Sequence, residues 1–171
     1  MSELADAAAQ ADAFAEDGNE RELSQLRTQW DEELESQART SDFRARAVAY
    51  RAIGQFRFRT KKELLRRGLE DDSPAVRGSA LLALEKLSRD HPGDVNDVRS
   101  LLHELLTHDD NEAVRRLAVV ALKNGSARPD TIQILASLGD DDEQPRELRD
   151  AAAKVAQLLR RKATAKSQSK S

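Results

Sequence analysis

The sequence contains no cysteine, and this absence excludes several kinds of site at once. A disulfide framework, a thiolate zinc site and a cysteine nucleophile all need that residue. Aromatic residues make up only 4% of the chain, a composition that suits closely packed helices better than a sandwich or barrel. No apolar run approaches the ~18 residues of a membrane-spanning helix. The acidic start lacks the order of charges of a signal peptide, so we expect a cytoplasmic protein without membrane attachment.

Motifs that carry catalysis or bind cofactors are also missing from the sequence. There is no glycine-rich phosphate loop, no Gly-x-Ser-x-Gly elbow and no grouping of serine, histidine and aspartate. His91, His103 and His108 lack the spacing of zinc ligands. The acidic run 140–143 lacks the alternating ligands and the glycine of a calcium loop. We therefore predict a protein that is not an enzyme and that has no metal site and no cofactor.

Charge is distributed unevenly along a chain whose formal net charge is only −3. Residues 1–42 hold 12 acidic and 3 basic side chains, whereas residues 43–67 hold 9 basic side chains and a single acid, Glu63. The overall balance excludes a generally basic nucleic-acid-binding protein. The stretch 44–67, called the basic band below, nevertheless has enough cations to contact a polyanion or an acidic protein.

The stretch 69–87 reads as the end of one helix, a tight acidic turn and a second helix. Ser73 is a good N-cap, and Pro74 follows at the first helical position, where its fixed φ suits the helix. Val76, Ala80 and Leu84 then fall on one face at helical spacing. The pattern predicts a helical hairpin, which is too small to bury its apolar faces alone.

This pattern recurs along the chain. Arg115, with its apolar neighbours, lies 38 positions after Arg77, and a looser copy around Arg149 follows 34 positions later. Upstream, Arg46 matches Arg77 at an offset of 31. A period in the thirties built from helix–turn–helix units is typical of an α-solenoid.

At these residues the chain resembles the HEAT-repeat family, particularly its short bacterial and archaeal members. In that family the turn reads as Asp, a few residues, then Val-Arg and a small–large apolar helix. Here it is carried by Asp72 with Val76-Arg77 and by Asp110 with Val114-Arg115. The resemblance covers about residues 41–160. It implies an all-α fold, an α-α superhelix of about four helical hairpins, with the adaptor and scaffold roles usual in the family.

We expect three segments. Residues 1–18 form an N-terminal helix that is either marginal or laid over the first repeat as a cap. Residues 19–162 form the HEAT-like repeat domain, in which Trp30 is a core anchor and the helix 43–56 is an inner helix. Residues 163–171 contain only Ala, Thr, Lys, Ser and Gln, a composition too polar to fold, so we predict a disordered basic tail.

The basic band has two interpretations. Its cations either pair with acids of neighbouring repeats and of the N-terminal helix, or form a binding surface. The candidate surface residues are Arg44, Arg51, Arg57, Arg59, Lys61, Lys62, Arg66 and Arg67.

The sequence favours a non-enzymatic adaptor that binds an acidic protein partner through the inner helices. The alternative is a nucleic-acid-binding or DNA-repair-related module that uses the basic band and the basic tail. A third hypothesis is an enzyme accessory subunit, such as a lyase partner. The oligomeric state is not predicted.

Overall fold

The computed structural model describes residues 2–170, which form ten α-helices and one 3₁₀ turn without any β-strand. The helices are α1 (Glu3–Glu16), α2 (Glu20–Gln37), α3 (Phe43–Gln55), α4 (Lys62–Leu69), α5 (Pro74–Ser88), α6 (Pro92–Asn96), α7 (Arg99–His108), α8 (Glu112–Leu122), α9 (Pro129–Asp140) and α10 (Arg146–Ser169). The all-α prediction is confirmed. The chain divides into two compact units, the first ending at Leu87 and the second starting at Ser88, where the sequence analysis had treated 19–162 as one domain.

The first unit is built on α3, which contacts α1, α2 and α4. The Ser2 hydroxyl caps α1 by accepting a hydrogen bond from the Ala5 N–H at 3.1 Å. One face of α1 is buried, including Leu4, Ala8 and Ala11, because small side chains let the helix lie close to its neighbours. Residues 3–16 therefore belong to the packed first unit.

Close approach of backbones holds α3, α4 and α5 together. A Cβ added at Gly54 of α3 would lie 2.7 Å from the Ala83 Cα of α5. A Cβ added at Gly68 of α4 would lie 2.5 Å from the ring of Tyr50 and 3.0 Å from the Ala80 Cβ. Only glycine fits at either position without a shift of the neighbouring helix. The hairpin α4–α5 thus packs against the hairpin α2–α3.

The second unit contains two further hairpins, α7–α8 and α9–α10, and α10 also packs on α8. Its core is aliphatic, with Leu102, Leu106, Leu122, Leu135 and Leu159 fully or almost fully buried. The sequence predicted one helix over 95–107 after a break at 91–94. The structure has the short α6 there and begins α7 only at Arg99. The expected number of four hairpins is nevertheless present.

The prediction of a disordered tail from residue 163 is wrong, because α10 continues to Ser169. The sequence argument rested on burial, and the side chains from Thr164 onward are indeed exposed. Alanine and lysine are good helix formers without any burial, so the helix continues past its packed part. The Lys162 ammonium also donates to the carbonyl of Lys123, just after the end of α8.

Three smaller expectations also need correction. Trp30 is half-buried in a shallow groove between α1 and α2, where the sequence predicted a core anchor. The apolar spacing of 43–56 predicts that Phe43 faces the core, but its side chain is 41% exposed. Thr60, with Glu63 three positions later, predicts an N-cap for the next helix, but it lies inside the 3₁₀ turn Arg59–Lys61 that precedes α4.

Candidate functional site

The turn between α4 and α5 is joined to the start of α3 by a partly buried ion pair. Arg46 donates from Nε and Nη2 to the two carboxylate oxygens of Asp71, at 3.1 and 3.0 Å. Asp71 also accepts the Ser73 N–H at 2.9 Å. These hydrogen bonds raise the pKa of Arg46. Burial raises the pKa of Asp71, but the bonds outweigh it and hold that pKa below 3.8.

The same turn chemistry recurs in the second unit. The Asp109 carboxylate accepts the Asn111 N–H at 2.9 Å, and the Asp141 carboxylate accepts the Glu143 N–H at 3.0 Å. Arg115 donates to the Leu106 carbonyl at 2.8 Å and, from Nη1, to a glutamine of the following turn at 3.0 Å. Arg115 therefore joins the end of α7 to the turn before α10, while the two aspartates each order their own turn.

The aspartates that shape these turns are Asp71 and Asp109, one position before the pair named from the sequence. The Asp72 side chain is 95% exposed and meets Arg46 only at 3.3 Å. Each turn contains two adjacent aspartates, so spacing alone did not distinguish the structural residue from its solvated neighbour.

Lys61 of the basic band is buried and points into the first unit. Its ammonium donates to Asp31 and, at 3.0 Å, to Glu35 of α2, and it lies 4.8 Å from the centre of the Phe58 ring. Burial alone would lower the pKa of Lys61, but the two carboxylates raise it. Buried and paired in this way, Lys61 belongs to the packing of the first unit.

Arg57 is also paired internally. Its Nη1 donates to Asp12 at 2.7 Å and its Nη2 to Glu16 at 3.0 Å. Asp12 accepts a second hydrogen bond, at 2.7 Å, from Lys86 of α5. Burial raises the pKa of Asp12, but the hydrogen bonds and positive charges of Lys86 and Arg57 lower it by more. The pKa of Asp12 therefore lies below its ordinary value. One carboxylate of α1 thus joins the end of α3 to α5.

The backbone of Arg57 is left-handed, with φ of 58°. It ends α3 in a Schellman motif, in which the Phe58 N–H donates to the Ile53 carbonyl at 2.9 Å and the Arg57 N–H to the Gly54 carbonyl at 3.1 Å. Glycine normally occupies this position, as Gly18 does with φ of 72° after α1. The Arg57 side chain offsets the strain by donating to the Gly54 carbonyl at 2.9 Å.

The other six candidate residues are exposed: Arg44, Arg51, Arg59, Lys62, Arg66 and Arg67. The Arg44 guanidinium lies 4.8 Å from the centre of the Phe43 ring, a cation–π contact. Within residues 2–170, Arg51, Arg66 and Arg67 make no ion pair. The basic band therefore contains three internally paired cations, Arg46, Arg57 and Lys61, and an exposed set.

Three of the candidate residues line two different surface grooves. Arg44 lines a groove of about 740 Å³ between α1, α2 and α3, with Glu33 and Asp42. Arg57 and Arg59 line a pocket of about 400 Å³, called the arginine pocket below. Its walls are Glu20, Arg27, Arg57, Phe58, Arg59 and Thr60. Arg27 could not be assigned to this pocket from the sequence, because nothing in the spacing of α2 places it beside the segment that follows α3.

Nothing in the described chain resembles a metal centre, since residues 2–170 contain no group of three or more histidine and carboxylate side chains placed to hold an ion. None of the described helices is both long enough and apolar enough to cross a membrane.

Repeated helical hairpins, with an arginine of one hairpin bonded to the turn of the next, define a helical-repeat protein. A family model described as HEAT repeats matches residues 32–123, more than half of the chain. The chain belongs to the HEAT-repeat family, and its fold class is the α-α solenoid. HEAT repeats suggest a protein-interaction scaffold and are typically non-catalytic. No curated protein and no solved structure matches the chain.

Proposed function

We propose that the protein is a non-enzymatic adaptor that binds an acidic protein partner through the exposed arginines of the basic band. The observation that carries this proposal is the contrast within the band. Arg57 and Lys61 have internal carboxylates, whereas Arg51, Arg66 and Arg67 are exposed and make no ion pair within residues 2–170. Their charge is available to a carboxylate of another molecule.

Arginine suits this role because its planar guanidinium binds a carboxylate through two parallel hydrogen bonds. Arg44 and Arg51 lie seven residues apart, two turns along one face of α3. The half-buried Val48 lies between them on this face and offers a small apolar contact. In this proposal α3 is an inner helix of the solenoid, and the exposed cations steer the partner toward it.

The test is fluorescence anisotropy with a labelled glutamate-rich peptide at about 50 and 200 mM salt. The variant carries Arg51→Glu, Arg66→Glu and Arg67→Glu. The matched control carries Arg21→Glu, Arg146→Glu and Lys154→Glu, which are exposed and change the net charge equally. The proposal expects a loss of about tenfold or more in the variant only. An equal loss of affinity in the variant and the control would show that binding depends only on net charge. That result would refute the assigned surface.

A second candidate function, nucleic-acid binding, is favoured by the end of α10. From Arg160 to Lys170, the last turns of this helix and its C-cap residue hold five basic residues and no acid, and all five are exposed. Labelled DNA and RNA would be titrated at the same two salt concentrations, with Lys166→Glu and Lys170→Glu together as the variant. Binding that collapses with salt and is lost in this variant would place the nucleic-acid function first. No binding at low salt would exclude it.

A further inference from the structure

We propose that the arginine pocket binds a phosphoryl group carried on a side chain of the partner protein. This inference rests on the proposed adaptor function and names the chemistry that the partner presents. The pocket, of about 400 Å³, lies at the small end of the range for ligand sites. Its lining holds three guanidinium groups, a threonine hydroxyl and the Glu20 carboxylate; Arg27 pairs with Glu20, and Arg57 pairs with Asp12 and Glu16 outside the lining. Arginine clusters of this kind recognise phosphorylated motifs.

Arg27 has a donor that no group of the described chain satisfies. Its Nε is buried, and it has no hydrogen-bond partner within residues 2–170. Buried donors without an acceptor are rare in native structures. The phosphoryl group, with three strong acceptor oxygens, can satisfy this donor together with Nη2 once the guanidinium turns toward the pocket.

Glu20 occupies the position that the ligand would take. Its carboxylate accepts a hydrogen bond from Arg27 Nη2, and its side chain is 73% exposed. A phosphoryl group carries more charge and more acceptors than a carboxylate, so it would displace Glu20 into solvent at small cost. Glu20 is thus an internal competitor of the ligand.

The opposite wall of the pocket is fixed before any ligand arrives. Arg57 is held by Asp12 and Glu16 and by the left-handed turn that ends α3. The same turn sets the direction of the next residues, Arg59 and Thr60, which also line the pocket. A preformed wall lowers the conformational cost of binding. In this arrangement Arg27 and Arg59 contact the phosphoryl group, and Arg57 contributes its charge.

The surroundings favour a single phosphoryl group over a nucleic-acid strand. Asp12 and Glu16 contact Arg57 at the edge of the pocket, and Asp31 and Glu35 contact Lys61, next to Thr60. A strand would place its neighbouring phosphates against these carboxylates. A phosphorylated residue in an otherwise neutral peptide avoids this repulsion.

The experiment uses the full chain and two labelled peptides of one neutral sequence, with and without a phosphoserine, in anisotropy titrations. The variants are Arg27→Gln and Glu20→Gln. Glu22→Gln is the matched control because it removes the same charge from the same first turn of α2 and does not line the pocket. Circular dichroism verifies that each variant is folded, and inorganic phosphate serves as the competitor.

We expect the phosphopeptide to bind at least about tenfold more tightly than its unmodified twin. Arg27→Gln should remove this difference, Glu20→Gln should strengthen phosphopeptide binding, Glu22→Gln should leave it unchanged, and phosphate should compete. Equal binding of the two peptides, or a folded Arg27→Gln variant that keeps the preference, would overturn the inference. So would single-stranded DNA that binds through Arg27 more tightly than the phosphopeptide.

Failure here is distinguishable from failure of the adaptor function. The glutamate-rich peptide and the variant at Arg51, Arg66 and Arg67 test the exposed surface without altering the pocket. If that peptide binds and the phosphopeptide gains nothing from its phosphate, the adaptor function stands and the pocket assignment is wrong. If neither peptide binds at low salt, both are wrong.

Discussion

Replacing the left-handed Arg57 should reverse the usual ranking of alanine and glycine. Arg57→Ala and Arg57→Gly both remove the guanidinium and its bonds to Asp12 and Glu16. They differ only in the backbone, whose φ of 58° is unfavourable for alanine and acceptable for glycine. The glycine variant should therefore be the more stable of the two.

The magnitude follows from three contributions. Loss of the charged hydrogen bonds should cost either variant about 2 kcal/mol, since Arg57 is only partly exposed. Alanine in a left-handed conformation costs a further ~1 kcal/mol or more, which glycine avoids. At the exposed, helical Arg51, glycine should instead be about 1 kcal/mol less stable than alanine. The difference between glycine and alanine should thus change sign between the two positions.

The assay is urea unfolding of the four variants at Arg57 and Arg51, followed by circular dichroism and by Trp30 fluorescence. Trp30 is the only tryptophan and lies in the first unit, as Arg57 does, so its signal reports the unit that is perturbed. If Arg57→Gly is less stable than Arg57→Ala by the same margin as at Arg51, position 57 is not left-handed. The account of how α3 ends would then be wrong.

Five further substitutions, two of them controls, test the packing and the pH dependence. Asp71→Asn should lower the free energy of unfolding by about 2 kcal/mol because it weakens the partly buried pair with Arg46, while Asp72→Asn should change it by less than about 0.5 kcal/mol. Gly54→Ala should lower the thermal midpoint because its Cβ meets the α5 backbone, whereas Gly93→Ala, with open space around it, should not. Burial lowers the pKa of His103, so stability should fall as the pH drops through 6.5, and His103→Gln should flatten this dependence.

Each of these tests has a clear contrary result. Equal effects of the two aspartate substitutions would show that Asp71 has no special role in its turn. A Gly54→Ala variant as stable as the wild type would mean that α3 and α5 do not approach closely. The sign for His103 follows from proton binding: below pH 6.5 the unfolded chain binds more protons than the native chain, which lowers stability. An unchanged pH profile in His103→Gln would assign the dependence to another group.

The helical hairpins could be predicted because their signals are local. Ser73, Pro74 and the apolar spacing from Val76 lie within one stretch of chain, and the repeats around Arg115 and Arg46 make the pattern recognisable. Periodicity specifies which face of each helix is buried, and these are the features that the sequence analysis placed correctly.

Which cations of the basic band pair internally could not be predicted, because their carboxylate partners are distant in sequence. Arg57 bonds to Asp12, 45 positions earlier, and Lys61 to Asp31, 30 positions earlier. The left-handed turn at Arg57 also lacked the glycine that normally marks one. The position of Arg27 in the arginine pocket could not be predicted either, because only the tertiary packing brings α2 beside residues 57–60.

The carboxylates that neutralise Arg57 and Lys61 have a consequence for the chain's electrostatic character. Asp12, Glu16 and Asp31 all precede the HEAT match, which begins at residue 32. Residues 1–31 contain eight acidic and two basic side chains, so without them the formal net charge would change from −3 to +3. The preceding segment thus determines on which side of its isoelectric point the protein lies at neutral pH. A chain without residues 1–31 would carry a net positive charge at neutral pH, which favours non-specific binding to nucleic acids.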